Sequence, residues 1–383
     1  MKFSLDFDGI FTDESQLDLS VVNKEWFYWS EYSIMYSPIR KGVRQVASLF
    51  QYFGDVIITT ARPFKQHKSI RNWLMQNAPE LATIKIVSSG NQHKLSILKS
   101  EEVSIHIDDD FLNASNLLDI DPIMLIWSYE SPAEIITNIC KAINSVFSNS
   151  NEANSIKILS LGSSTPTFLI NRDSILRKIK IFQNEKDTQR IKSFYSVAEN
   201  INEIVFIPKA TNWFPLLMEC EFVEGILVES SADTDRINAI PLLANFLGKL
   251  HSHKIDDTLC YVSNAIDQFN VCLTTDKRIA LIDLGDCLIG NKWMDIVWAE
   301  QLYCSNTEEK EIFLQHYSKN IKQAPTKMEI ENALRDFYSW LHFVIASGRK
   351  WNNEDRSRVA ISNHISALRA TPPTDSLLFK LCK

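Results

Sequence analysis

Asp6 and Asp8 stand two residues apart where a short apolar run, Met1-Lys2-Phe3-Ser4-Leu5, gives way to Asp6-Phe7-Asp8-Gly9. Thr60 closes a second apolar run, Lys94 follows Gln92-His93, and Asp108 and Asp109 follow a third run at Val103–Ile107. These residue types suit phosphoryl transfer. One carboxylate can attack phosphorus and carry the group as an aspartyl-phosphate. A second can protonate the leaving oxygen and then activate water. Clustered carboxylates repel one another and an incoming phosphate, and a hard divalent cation with oxygen ligands relieves that repulsion while polarising the phosphoryl group. A hydroxyl and an ammonium group bind phosphoryl oxygens and stabilise charge in the transition state.

Such residues need elements that bring them to one place. The pattern predicts a strand over 1–8, a helix around Arg40–Phe53 with Val43, Val46, Ala47 and Phe50 on one face, and a strand at Asp55–Thr59. A helix with Ile70, Trp73 and Leu74, a strand at Ile84–Val87, a helix opened by Lys94 and a strand at Val103–Ile107 follow. A fifth strand, Ile123–Trp127, leads into a helix to about Phe147. Alternating strands and helices predict a parallel sheet with helices on both faces. The polar residues fall at carboxyl ends of strands, where open α/β sheets bind ligands. His93 and His106 read as structural, with strand alternation turning His106 away from the strand-end site.

This constellation resembles the haloacid dehalogenase superfamily over about the first 145 residues. Asp6-Phe7-Asp8-Gly9-Ile10-Phe11-Thr12-Asp13 is similar to that family's first motif, which implies Asp6 as nucleophile and Asp8 as acid/base. Ile57-Ile58-Thr59-Thr60-Ala61-Arg62-Pro63 is similar to the second, with Thr60 in preference to Thr59 as the phosphate-binding hydroxyl. Lys94 fits the third, and Ile105-His106-Ile107-Asp108-Asp109-Asp110 fits the fourth. The resemblance implies a Rossmann-like α/β fold, Mg2+ held by Asp6, Asp8, Asp108 and Asp109, and catalysis by Asp6, Asp8, Thr60 and Lys94. It is nearest to small phosphatases of the 5'-nucleotidase-like branch, and Asp8 favours phosphate esters over dehalogenation. A single such motif is often a cap or a turn, whereas four in order at successive strand ends are far more specific. The stretch from Gly9 to Arg40 is aromatic, with Trp26, Phe27, Tyr28, Trp29, Tyr32 and Tyr36. It suits a small lid or pocket wall, or equally a helix packed on the sheet.

Residues 148–155 are polar and aperiodic, as a linker is. Domain boundaries at 1–147 and 156–383 follow. Beyond the linker, β-like runs at Ile156–Leu161, Thr167–Ile170, Leu176–Phe182 and Leu216–Phe222 give a small lobe to about 225, and mostly helical stretches at 236–254 and 308–370 give a larger lobe from about 226. Glu219-Cys220-Glu221-Phe222-Val223-Glu224-Gly225, Leu247-Gly248-Lys249-Leu250-His251 and Asn270 ahead of Ile279-Ala280-Leu281-Ile282-Asp283 resemble the aminoglycoside phosphotransferase and choline kinase family. That resemblance implies a bilobal α+β protein-kinase-like fold, with Glu219–Gly225 as the hinge between lobes. It also implies Asn270 and Asp283 as magnesium ligands for ATP or another nucleotide. Lys178 is the phosphate-binding lysine it implies, with Lys180 the alternative. The family's catalytic loop carries His-Gly-Asp, its aspartate five residues before the asparagine. Here the stretch is Ser263-Asn264-Ala265, and Ala265 cannot accept a proton. Asp267, two residues on, is the base only if the loop is shifted. Losing a positioned base costs ~10²–10⁴-fold in rate, which favours a degenerate, ligand-binding domain.

The chain has 383 residues, 45% hydrophobic and 23% charged, enough for two domains with their own cores. A net charge of -7 argues against nucleic acid as partner. No apolar run spans a bilayer. Seven cysteines lack metal-ligand spacing, and with no signal-peptide pattern at the start a cytoplasmic location is expected. The sequence therefore reads as a phosphoric monoester hydrolase acting on a small phosphorylated metabolite. Two alternatives stay open: a bifunctional phosphatase and small-molecule kinase in sugar or surface-polysaccharide metabolism, and a non-catalytic binding or scaffold protein. Substrate identity and oligomeric state are not encoded in these motifs.

Overall fold

The computed structural model describes residues 1–13, 30–90, 93–109, 122–127, 131–149, 154–160, 165–198, 207–228, 231–252, 260–262, 266, 270–276, 278–283, 288–320, 324–346 and 376–382. By packing, the chain forms two compact units: Met1–Thr188 with Thr211–Cys220, and Gln189–Ala210 with Glu221–Lys383. None of the described helices is long and apolar enough to cross a membrane.

The first unit opens with β1 (Lys2–Asp6), α1 (Glu31–Tyr36), α2 (Val43–Phe53), β2 (Asp55–Thr60), α3 (His67–Asn77) and β3 (Lys85–Ser88). It continues with α4 (Lys94–Ser100), β4 (Ile105–Asp108), β5 (Ile123–Ile126) and α5 (Pro132–Asn149). The five strands form one parallel sheet in the order β3-β2-β1-β4-β5. The chain moves outward from β1 through β2 and β3, then returns to lay β4 on the other side of β1. Strand order therefore reverses between β1 and β4, and the ends of those two strands flank the position where open α/β sheets bind ligands.

Strand alternation makes the two faces of this sheet different. On one face, Phe3 and Leu5 of β1, Val56 and Ile58 of β2, and Ile105 and Ile107 of β4 are buried in a large cluster with Val46 and Phe50 of α2, Trp73 of α3 and Ile139 of α5. Phe3 stacks on Phe50 with centroids 4.2 Å apart. The opposite face is covered by a smaller cluster of Ile57, Met124, Val103 and Leu98, the last from α4. Helices on both faces were expected from the pattern. The second face also carries a buried polar row, because Ile57 pairs Ser4, Ser4 pairs His106, and His106 pairs Met124.

The next strands are β6 (Ser155–Ser160), β7 (Thr167–Arg172), β8 (Ile175–Ile181), β9 (Ala210–Trp213) and β10 (Leu217–Glu221), with α6 (Glu185–Ala198) between β8 and β9. They form a second sheet in the order β6-β7-β8-β10-β9. Its apolar face bears Ile156, Phe168, Ile170, Ile179, Ile181 and Leu217, which join the large cluster of the parallel sheet. Packing therefore divides the chain differently from the composition of 148–155. Helix α5 runs to Asn149, β6 begins at Ser155, and Asn144 of α5 bonds both the Ile156 carbonyl and amide, at 2.9 and 2.8 Å. The reason is physical: a small sheet with one apolar face must cover it, and the outer sides of α2 and α5 supply the cover. Of the expected linker, residues 150–153 lie outside the described residues.

The second unit holds β11 (Gly225–Leu227), α7 (Asp233–Ser252), β12 (Cys260–Val262), β13 (Val271–Thr274), β14 (Ile279–Leu281), β15 (Leu288–Gly290), α8 (Trp293–Tyr303), α9 (Thr307–Ser318) and α10 (Lys327–Ala346). A three-stranded sheet β11-β13-β14 and a two-stranded sheet β12-β15 accompany the helices. The helices meet through buried side chains, with Leu243 and Leu247 of α7, Ile296 of α8, Phe313 of α9 and Phe337 of α10 all fully covered. Two buried polar ties fix α7. Arg236 pairs Glu309 of α9 at 2.8 Å, and His251 reaches Tyr317 at 3.0 Å and Asp295 at 3.1 Å.

Candidate active site

Asp6 is the last residue of β1 and Asp108 the last of β4, so parallel pairing brings the two carboxylates to neighbouring strand ends. Asp109 follows at once. Carboxylate oxygens of Asp6, Asp108 and Asp109 all lie within 4.8 Å of one another. Lys94, the first residue of α4, extends into this cluster, its Nζ 2.6 Å from Asp108 Oδ2 and 3.1 Å from Asp6 Oδ1. Asp6, Asp108 and Lys94 are buried.

The loop after β1 is shaped for this approach. Asp8 is extended and Gly9 takes φ +75°, in the left-handed region that glycine tolerates best. A Cβ at Gly9 would fall 2.0 Å from Asp109 Oδ2, so only glycine lets the first loop lie against the fourth motif. Thr12 Oγ1 accepts from the Gly9 amide at 3.1 Å and closes the turn.

The charges do not balance. Three carboxylates face one ammonium group. Burial pushes the Asp6 carboxyl well above its usual range, Lys94 partly offsets this, and Asp108, Asp8 and Asp109 add to it. Burial and the neighbouring Asp108 push Asp109 up to about 6. Burial also works against Asp108, but the hydrogen bond from His106 and the Lys94 charge outweigh it and hold that carboxyl well below the usual range. Burial opposes the Lys94 charge, yet Asp6 and Asp108 together raise its pKa. Asp6 Oδ1 is buried and, although Lys94 is in ion-pair range, makes no hydrogen bond. An Asp6 oxygen that is buried, with a single ammonium at ion-pair range and two further carboxylates within 4.8 Å, belongs to the kind of oxygen donor set a hard divalent cation takes. Asp6, Asp108 and Asp109 are the residues that would hold it.

Asp8 stands apart from that group. Its Oδ1 takes Arg62 Nε at 2.7 Å and its Oδ2 takes Thr60 Oγ1 at 3.1 Å. Of the four carboxylates expected to hold the cation, Asp6, Asp108 and Asp109 cluster, while the Asp8 side chain is engaged by Arg62 and Thr60. Thr60 spends its single hydroxyl proton on Asp8 and accepts the Arg62 amide at 3.1 Å. Thr59 is tied inside the sheet, accepting from Ser4 Oγ at 3.2 Å. Asp6, Asp8, Thr60, Lys94, Asp108 and Asp109 all lie in the first unit.

Three further residues touch this cluster that its motifs did not place there. Arg62 was visible in Thr-Ala-Arg-Pro without a role. It is 2% exposed and also donates to Ser33 Oγ at 3.0 Å and to the Ser30 carbonyl at 3.3 Å, joining Asp8 to the start of α1. Arg40 donates to the Gly9 carbonyl, lies 4.7 Å over the Trp127 ring, and is attracted by Asp109 and Asp13. Nothing in its sequence neighbourhood signals this. His106 does not turn away: it shares the face of Asp108, two residues on, and its Nε2 is 3.1 Å from Asp108 Oδ2. Alternation was the right rule, applied to the wrong neighbour. Of the aromatic stretch, Ser33 and Ile34 of α1 are buried while Tyr32 and Tyr36 stack on each other in solvent. Trp26, Phe27, Tyr28 and Trp29 lie outside the described residues.

In the second sheet, Lys178 and Lys180 of β8 are buried on the face opposite Ile179 and Ile181. Glu219 is on the other side. Its carboxylate takes Tyr52 Oη of α2 at 2.8 Å and Thr211 Oγ1 at 2.6 Å, with Arg177 Nε at 3.6 Å. The structure therefore does not bring Glu219 together with Lys178. In the second unit, Asn270 and Asp283 flank one end of the β13–β14 hairpin, where the Ile282 amide donates to the Asn270 carbonyl at 2.8 Å. Ala265 and Asp267 lie outside the described residues.

No protein-family model matches the chain, and no curated protein matches it significantly. Solved structures similar to it are small-molecule phosphotransferases and kinases. An ADP-bound aminoglycoside phosphotransferase is 17% identical, covering 62% of this chain and 98% of its own, with a TM-score of 0.40. A macrolide phosphotransferase from Brachybacterium faecium is 9% identical over 59% of this chain and 97% of its own, with a TM-score of 0.42. A choline kinase from Streptococcus pneumoniae is 13% identical over 61% of this chain and all of its own, with a TM-score of 0.41.

Proposed function

We propose that the α/β part of the chain is a magnesium-dependent phosphatase, acting on a small phosphorylated metabolite through a phosphorylated Asp6. The observation that carries this reading is the Asp6 carboxylate itself. It is buried at a strand end, in ion-pair range of Lys94, with one oxygen lacking a hydrogen bond and with Asp108 and Asp109 within 4.8 Å.

The chemistry follows from these positions. An Asp6 oxygen attacks phosphorus, the bond to the leaving oxygen breaks, and Asp8 gives that oxygen its proton. Water then attacks the phosphoryl group on Asp6, Asp8 takes the water proton, and inorganic phosphate departs with the Asp6 carboxylate restored. Arg62 and Thr60 hold Asp8 for both proton transfers. Lys94 offsets charge on the phosphoryl oxygens as it now does on Asp6 and Asp108. Magnesium, when bound, would supply the Lewis-acid charge that lets an anionic ester approach three carboxylates.

For the second half the reading is a degenerate kinase-like domain that binds a nucleotide or the substrate without transferring phosphate. Its support is Asn270 and Asp283 at one hairpin end, together with Ala265 where the base would stand. Release of phosphate from p-nitrophenyl phosphate, requiring magnesium and absent in Asp6→Asn, tests the first half. No release from any of a broad panel of nucleotides, sugar phosphates and phosphoalcohols would sink it. Transfer of labelled phosphate from ATP to a small hydroxyl compound would move the second half to the bifunctional reading.

A further inference from the structure

His106 has no part in the chemistry above, yet it is a fully buried titratable group beside the cation site. Its Nε2 lies 3.1 Å from Asp108 Oδ2, the oxygen that also receives Lys94 Nζ at 2.6 Å. An ionised carboxylate only accepts, so Nε2 must carry a hydrogen for this contact to be a bond. The ring is fully buried, on the sheet face between Ser4 on β1 and Met124 on β5. The Ser4 hydroxyl is turned to Thr59, while the Ser4 backbone is a weak further hydrogen-bond partner of the ring. Among the described residues the ring's side-chain hydrogen-bond partner is Asp108.

Two donors on one oxygen fix a carboxylate better than one. The ammonium group of Lys94 is shared between Asp108 and Asp6, so it does not hold Asp108 alone. The imidazole is held by the strand itself, two residues away on the same face, and cannot follow the lysine if Lys94 shifts toward a substrate.

We propose that His106 is a positioning residue of the cation site: its Nε2–H and the Lys94 ammonium together pin Asp108 Oδ2, so that the carboxylate is held facing Asp6 and Asp109 and binds a divalent cation more tightly. This rests on the phosphatase reading only for the identity of the site, since cation binding is measurable without turnover. Partners that orient a ligating carboxylate typically change metal affinity about 10–100-fold.

The test is magnesium binding to the full chain without substrate, read by calorimetry and by the magnesium-induced rise in melting temperature. His106→Leu fills the space without a donor, and His106→Gln carries an amide N–H at the reach of Nε2. We expect His106→Leu to weaken magnesium about 10–100-fold and His106→Gln to recover most of that loss. In turnover assays the magnesium concentration for half-maximal rate should rise in His106→Leu far more than kcat at saturating magnesium falls. Equal magnesium affinity in His106→Leu and the unaltered protein would overturn the proposal, as would a His106→Gln as weak as His106→Leu. Should His106→Leu fail to fold, nitrogen NMR of the unaltered protein decides, because a hydrogen on Nδ1 with a bare Nε2 contradicts the proposed bond. Magnesium binding without hydrolysis of any phosphate ester defeats the phosphatase reading and leaves the His106 comparison decisive. Absence of any divalent-cation binding overturns both.

Discussion

Arg62 Nε lies 2.7 Å from Asp8 Oδ1, inside the protein, and the same guanidinium donates to Ser33 Oγ at 3.0 Å at the start of α1. One buried cation thus ties the Asp8 carboxylate to α1, inside the aromatic stretch. Arg62→Ala leaves Asp8 buried without its charged partner, and breaking a buried pair from one side costs about 3–5 kcal/mol. Urea unfolding is expected to show that loss, and kcat to fall by ~10²–10⁴-fold, the contribution of a positioned acid/base. Arg62→Lys keeps the charge and loses the fork that reaches Asp8 and Ser33 together, so it should recover stability better than kcat.

Gly9 and Asp109 give a second prediction. A methyl group at Gly9 would meet Asp109 Oδ2 at 2.0 Å on a backbone at φ +75°. Gly9→Ala therefore displaces Asp109 or the loop, with about 1–3 kcal/mol of strain. Magnesium affinity and turnover should both collapse while far-UV circular dichroism stays unchanged. Unaltered magnesium binding would mean that Asp109 is not a ligand.

The pH dependence of cation binding has a definite sign. In the metal-free protein the Asp6 and Asp109 carboxyls are raised, the latter to about 6, by burial and by their neighbours. A carboxyl whose folded pKa exceeds its unfolded value stabilises the fold at low pH and loses that contribution as pH rises through the folded value. Magnesium competes with those same protons. The rise in melting temperature at fixed magnesium is therefore expected to be small near pH 5 and large near pH 7.5, and to vanish with a chelator.

Tyr52 and Glu219 test the placement of the second sheet. Glu219 is buried, which alone would raise its pKa, yet the hydrogen bonds from Thr211 and Tyr52 bring it below the usual range. A depressed carboxyl contributes stability above its unfolded pKa and loses it as pH falls through the folded one. Tyr52→Phe removes a hydrogen bond to a charged group, about 1.5–3 kcal/mol, and the loss measured at pH 7 should shrink toward pH 4. Nucleotide binding should respond to Asn270→Ala and Asp283→Ala and be indifferent to Glu219→Gln. A nucleotide affinity that depends on Glu219 would contradict the assignment of that side chain to the α2 contact.

The parallel sheet was legible because its strands are short apolar runs that alternate with amphipathic helices, and strand ends can be read from the polar residue that follows. That is enough to group Asp6, Asp108 and Lys94 from the sequence alone. What could not be read depends on side chains meeting across the sheet. Arg62 capturing Asp8 needs the register of β1 against β2, and Arg40 reaching Gly9 needs the fold of the whole first loop. His106 was misassigned because period two was judged against the strand end instead of against Asp108. The reach of the first core into the second sheet was hidden because a polar stretch marks a surface loop as readily as a domain boundary, and the cover for Ile179 and Leu217 comes from helices over a hundred residues earlier.

The most direct measurement is mass spectrometry of the full chain, acid-quenched during turnover of a phosphate ester with magnesium. One phosphoryl group is expected on the peptide containing Asp6, absent in Asp6→Asn and accumulating in Asp8→Asn, where water is no longer activated. Turnover with no phosphorylated Asp6 at any quench time, or with the phosphoryl group on another residue, would contradict Asp6 as the nucleophile.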